Sequence, residues 1–190
     1  MTTPDPEHGR LLAAFARTVA ERGYPQTSPR DVADAAGLSE ADFHARYRDL
    51  DDCFAALYRH SAALLRARVD AAFRAAGSDW RAGFSAALAS ALTAVAESPA
   101  HARACVLDVS AAGPGVQRER LRLLEGMRGM LRGPGPGALP DVVRDAIIGG
   151  IYGTVYSRVA AGRTQELPGL APALAKFALD YFAISDAVSM

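Results

Sequence analysis

Apolar residues recur along this chain at helical rather than strand spacing. Between Glu7 and Arg22 they fall at Leu12, Phe15 and Val19, three and four positions apart, while Arg10, Arg17 and Glu21 occupy other faces. Gly23 closes this first amphipathic helix. Ser28 then offers a capping oxygen, Pro29 suits a first helical position and Asp31 stands three residues after the cap, which predicts a second helix from Pro29 to Ala36. Gly37 suits a left-handed residue after it, and Ser39 with Asp42 caps a third helix at once, from Glu40 to Tyr47. Phe43 and Tyr47 share one face of that helix and leave Glu40, Ala41, His44 and Arg46 largely off it. Two short helices joined by so tight a turn predict a helix-turn-helix.

The helical period continues to the end of the chain. Asp49 caps a long fourth helix reaching about Ala76, with Asp51 and Asp52 in the first turn where negative charge favours the helix dipole. Further helices are predicted from Asp79 to Glu97, from Ser98 and Pro99 toward Gly113, and then to Arg132 with Leu121, Leu124, Met127 and Leu131 inward. The Gly/Pro-rich stretch 133–140 is the internal segment expected to be most mobile. Asp141 to Ala161 and Pro168 to Ile184 form the two most apolar helices, which need cover on more than one side. The fold class is therefore all-α with about nine helices: a helix-turn-helix domain over residues 1–50 and a larger helical domain over 51–190.

Composition narrows the chemistry. Mean hydropathy is near zero, and the longest apolar stretches fall short of the roughly 18 residues that cross a bilayer, so no membrane contact is expected. The N-terminus carries acids and prolines where a secretory signal needs a basic start and an apolar block, which points to the cytoplasm. Cys53 and Cys105 lie in different helices without CxxC spacing, and both are expected to be small buried hydrophobes. The four histidines, His8, His44, His60 and His101, lie apart, and no phosphate loop, GxSxG elbow or HExxH is present. No catalytic residue, metal or cofactor is expected. Formal net charge is zero, so nucleic-acid binding has to be local.

The segment TSPRDVADAAGLSEADFHARYRDLDDCFAAL resembles the DNA-binding signature of the TetR repressors, with Gly23, Val32, Ala33, Ala36, Gly37, Leu38, Ser39, Phe43 and Tyr47 on matching positions. Independently of that resemblance, Phe15, Val19, Val32, Ala36, Leu38 and Phe43 form a set able to pack three helices while the third presents its polar side outward. Such a helix fits a major groove. Thr27, Ser28 and Arg30 would hold phosphates, and Ser39, Glu40, Ala41, His44, Arg46, Tyr47 and Arg48 complete the candidate DNA-binding set. Asp42, His44 and Leu50 depart from the family, which usually has a small hydroxyl residue, Tyr and Lys there. Residues 1–60 hold seven basic against ten acidic residues, a formal −3, so the expected affinity is modest and salt-sensitive.

The resemblance extends to the C-terminal helices, which imply a homodimer through Tyr152, Val155, Tyr156, Phe177, Tyr181 and Phe182. Between the two ends, Trp80, Phe84, Leu88, Cys105, Leu124, Met127 and Tyr152 are the candidate pocket for a small apolar or amphipathic effector. The implied function is a ligand-responsive regulator of transcription, a repressor bound to a palindromic double-stranded operator. The alternative is a small-molecule-binding or protein-interaction module whose acidic reading head has lost useful DNA affinity. A thiol sensor acting through Cys53 or Cys105 is a third, weaker reading.

Overall fold

The computed structural model describes residues 6–131 and 139–188, with side chains up to Phe182. Residues 133–138 of the Gly/Pro-rich stretch fall outside the described residues. Nine α-helices stand among those described: α1 Pro6–Arg22, α2 Pro29–Ala36, α3 Glu40–His44, α4 Leu50–Ala75, α5 Trp80–Glu97, α6 Pro99–Val106, α7 Pro114–Met130, α8 Asp141–Ala160 and α9 Ala171–Val188. Short 3-10 turns at Tyr24–Gln26, Asp108–Ala111 and Thr164–Leu170 link them. The all-α expectation holds, with differences at two helix ends. The third helix stops at His44 instead of Tyr47, because the Arg46 N–H reaches back only three residues to the Phe43 carbonyl. The last α-helix begins at Ala171 rather than Pro168, since Gly162 at φ +68° ends α8 and a 3-10 turn containing Pro168 intervenes.

Two compact units are present, Met1–Ala62 with Ser98–Leu121, and Ala63–Glu97 with Arg122–Met190. In the first, α1 packs against α2 and α6, and α2 against α3. Leu11, Phe15 and Val19 of α1, Val32 of α2, Phe43 of α3 and Phe54 and Leu57 of α4 are fully buried. At roughly 1.5–3 kcal/mol for each large apolar side chain removed from water, this set supplies the main force that fixes α3. The Phe15 and Phe54 rings lie 5.1 Å apart and the Tyr24 and Phe54 rings 5.3 Å apart.

A polar tie closes the same unit. The Tyr24 hydroxyl donates to the Asp51 carboxylate, and the Gly113 N–H donates to Asp51 Oδ1 at 3.0 Å. Asp51, expected only as a helix-start charge, thus connects the α1–α2 turn to the start of α7. Burial first, then the Asp51 carboxylate, holds the Tyr24 phenol protonated well above its usual range.

In the second unit α5 packs against α9 and the Thr164–Leu170 turn, and α8 and α9 meet that turn as well. Phe84, Leu92, Ile147, Ile151, Val159 and Leu167 are buried there, and the Trp80 and Phe182 rings meet edge to face at 4.7 Å. The Gln165 side chain donates to the Ala96 carbonyl at 2.9 Å and ties the turn to the end of α5.

Candidate nucleic-acid interface

Two local devices set the angle and start of α3. Ser28 accepts from the Asp31 N–H at 3.2 Å while the Ser28 N–H donates to Asp31 Oδ2 at 2.9 Å, a reciprocal box that begins α2. Gly37, at φ +69°, then turns the chain as only a residue without Cβ does cheaply. Ser39 repeats the box with Asp42, at 3.2 and 2.9 Å. The hydrogen bonds from Ser39 hold the Asp42 carboxyl below its ordinary range. Asp42, where a small hydroxyl residue was the usual choice, is therefore the lid of the α3 cap, and its negative charge sits at the positive end of that helix.

The candidate DNA-binding residues divide into two groups. Glu40, Ala41, His44, Arg30 and Arg48 are exposed. Arg30 and Arg48 form loose pairs along their own segments, to Asp34 at 3.8 Å and to Asp52 at 3.6 Å, and His44 lies 3.9 Å from Glu40. The others have work inside the fold. The buried Thr27 hydroxyl donates to the Gly23 carbonyl at 3.0 Å, and the Ser28 and Ser39 hydroxyls serve the caps. Tyr47 is buried with its hydroxyl 2.8 Å from His8 Nδ1, and Arg46 forms an ion pair with Glu7. Glu7 and His8 had no place in the sequence-based set, because both partners lie 39 positions away.

The profile described as "Bacterial regulatory proteins, tetR family" matches residues 11–57, the stretch that carries these boxes and this core. Over those residues the chain is similar to the tetR family. Beyond that stretch, the whole TetR-like fold has solved counterparts. The fatty acid degradation regulator FadR from Bacillus halodurans superposes with a TM-score of 0.83 at 16% identity, covering 94% of this chain and 97% of that one. FadR from Bacillus subtilis, solved in complex with stearoyl-CoA, gives 0.79 at 15% identity over 90% and 97%. The TetR family transcriptional regulator PfmR from Thermus thermophilus gives 0.67 at 22% identity over 94% and 96%. No curated protein matches the chain.

Of the candidate pocket residues, six lie in the second unit and Cys105 in the first. Trp80, Phe84 and Leu88 line up along α5, with the Trp80 and Phe84 rings stacked 5.8 Å apart, and Leu124, Met127 and Tyr152 are half-buried in the same unit. Cys105 belongs to the other unit, where burial pushes its thiol up to about 12. An open groove of about 570 Å³ runs between Ser85 and Ala89 of α5 and Ala171, Ala175, Lys176 and Asp180 of α9, and it shares no residue with the candidate pocket set. Of the candidate dimer residues, Tyr156, Phe177 and Tyr181 are exposed, whereas Val155 and Phe182 are buried in their own unit.

Three of the four histidines expected to lie apart do converge: the His8 and His60 rings are 6.4 Å apart, and His60 lowers the pKa of the half-buried His101, after burial and ahead of Arg17. Among the described residues no three His, Cys, Asp or Glu side chains are placed to hold a metal ion. No helix among them is long and apolar enough to cross a membrane.

Proposed function

We propose that the protein is a ligand-responsive transcriptional repressor of the cytoplasm. It binds a palindromic operator as a homodimer and places the two α3 helices in successive major grooves roughly 34–36 Å apart. One observation carries the reading: the helix-turn-helix, capped at both its helices, holds α3 by buried Phe43 while Glu40, Ala41 and His44, with Arg30 and Arg48, are exposed. The exposed face of α3 suits base contacts, and the two arginines suit phosphates. Exposed Tyr156, Phe177 and Tyr181 on α8 and α9 support a two-fold contact between copies. The likeness to a FadR solved with stearoyl-CoA supports an effector with an apolar tail. Its binding shifts the spacing of the two reading heads, a coupling of about 1–3 kcal/mol that weakens operator affinity roughly 5- to 150-fold.

The test is fluorescence anisotropy of the full-length protein on DNA from its own upstream region, across salt, against random DNA and with Arg48→Ala. Tighter binding than to random DNA, weakened by salt and by the substitution, is the expected result. A specific observation favours a second reading, an effector- or protein-binding module with a decayed reading head: Thr27, Ser28, Ser39 and Arg46 are all engaged inside a stretch, residues 1–60, that is formally −3. A folded dimer that prefers no DNA sequence at low salt would establish that reading instead.

A further inference from the structure

We infer that Glu40 is a specificity-determining residue of α3 and that its carboxylate selects a cytosine at symmetric positions of the two operator half-sites. This rests on the operator-binding reading above. α3 runs only from Glu40 to His44, and its side chains have separate duties. Phe43 is buried. Asp42 serves the cap, its Oδ2 receiving the Ser39 hydroxyl at 2.7 Å and the Ser39 N–H at 2.9 Å. Glu40, Ala41 and His44 are exposed, as is Ala45 just beyond the helix. Glu40 thus presents a carboxylate that the cap does not use, on a side chain 51% exposed. It stands at the first position of the helix, the end from which a recognition helix reaches base edges. His44 Nε2 lies 3.9 Å from its Oε1, too far for a hydrogen bond.

An ionised carboxylate accepts hydrogen bonds and donates none. In the major groove cytosine offers it the N4 amine, a donor with no acceptor on the same base edge. Guanine presents N7 and O6 and thymine presents O4, all acceptors, and adenine sets its N7 acceptor beside the N6 donor. Facing any base but cytosine, the desolvated charge is left unpaired or repelled, so the discrimination comes from rejection as much as from attraction. The phosphates repel the same carboxylate, and Glu40 therefore weakens binding to DNA in general and compensates only at cytosine. Replacing that base pair should cost roughly 5- to 150-fold in affinity.

The experiment is selection of bound sequences from a library of randomised duplexes by the full-length wild type, Glu40→Gln and Glu40→Ala. Anisotropy on single-pair variants of the selected site follows, with thermal melts to match foldedness. Glu40 is exposed and takes no part in the Ser39 box, so the variants should fold as the wild type does. The wild type should enrich a palindromic site with a cytosine in each half. Glutamine keeps the length of the side chain and sets an amide donor beside the acceptor, a match for N7 and N6 of adenine. In Glu40→Gln that cytosine should therefore change to adenine while the rest of the site stays, and in Glu40→Ala the position should lose its preference. Selection of the same cytosine by both variants would mean that Glu40 only repels DNA, and would overturn the inference while leaving the operator reading standing. A responding position that carries another base in the wild type would overturn it equally. If none of the three proteins enriches any sequence, the operator reading falls and the inference with it.

Discussion

Replacing Gly113 with Ala should destabilise the protein far beyond an ordinary loop substitution, because of what the new methyl meets. A Cβ there would lie 2.8 Å from Asp51 Cγ and closer still to Oδ2. The end of an Asp side chain can usually swing away, but this carboxylate accepts from both the Tyr24 hydroxyl and the Gly113 N–H. Moving it breaks both bonds. Each hydrogen bond to a charged group contributes about 1.5–3 kcal/mol, and the half-buried carboxylate regains part of that from water, so a loss of about 2–4 kcal/mol is expected. For a chain of this length that corresponds to a fall of about 5–15 °C in Tm. Thermal melts should be followed by circular dichroism for Gly113→Ala, Asp51→Ala and the pair. Once Asp51 is gone the clash is gone, and Gly113→Ala should then cost only the few tenths to about 1 kcal/mol of placing Ala at the start of α7. Additive costs in the double variant would refute the steric argument.

Three further outcomes follow from the geometry. Ser39→Ala removes the hydroxyl bond, the larger of the two that depress Asp42, and leaves the backbone N–H bond in place; since a depressed carboxylate adds stability above 3.8 that is lost as acid carries the pH through its folded value, the variant should lose part of that acid dependence, and an NMR titration should show Asp42 moving part of the way toward 3.8. His101 is held below 6.5 by burial, His60 and Arg17, so its neutral form is favoured on folding and stability should decline as pH falls from 6.5 through the lower folded value. Urea midpoints at about pH 7.5 and about pH 5.5 should differ less in His101→Gln than in the wild type. Burial raises both thiols, Cys105 to about 12, so a disulfide reagent at about pH 8 should label neither in the folded protein and both in denaturant. Rapid labelling of the native protein would revive the thiol-sensor reading.

What was legible in the sequence is what is decided locally. The boxes of Ser28 with Asp31 and Ser39 with Asp42 span three residues each, and both formed as their spacing predicts. Partners far apart in the chain leave no such trace: nothing near Arg46 announces Glu7, and nothing in the Asp49–Asp52 run separates Asp49, which accepts from the Asp52 N–H at 2.8 Å, from Asp51, which reaches Gly113. The aromatic residues of α9 show the same limit. Phe182 and Tyr181 are neighbours of similar size, yet Phe182 is buried against Trp80 and Tyr181 is exposed, a difference set by helix phase against α5.

The way the two compact units share the chain bears on how such a protein can be altered. Each unit is assembled from separated stretches, and α4 and α7 contribute residues to both. The stretch 1–62, transplanted alone onto a foreign effector body, would arrive without α6, against which α1 packs, and without Gly113, the partner of Asp51. The helix-turn-helix is thus no exchangeable cassette. On the proposed operator reading, specificity is changed more readily by point substitution on the exposed face of α3 than by recombination at any single cut, and a designed chimera must carry residues 98–121 along with residues 1–62.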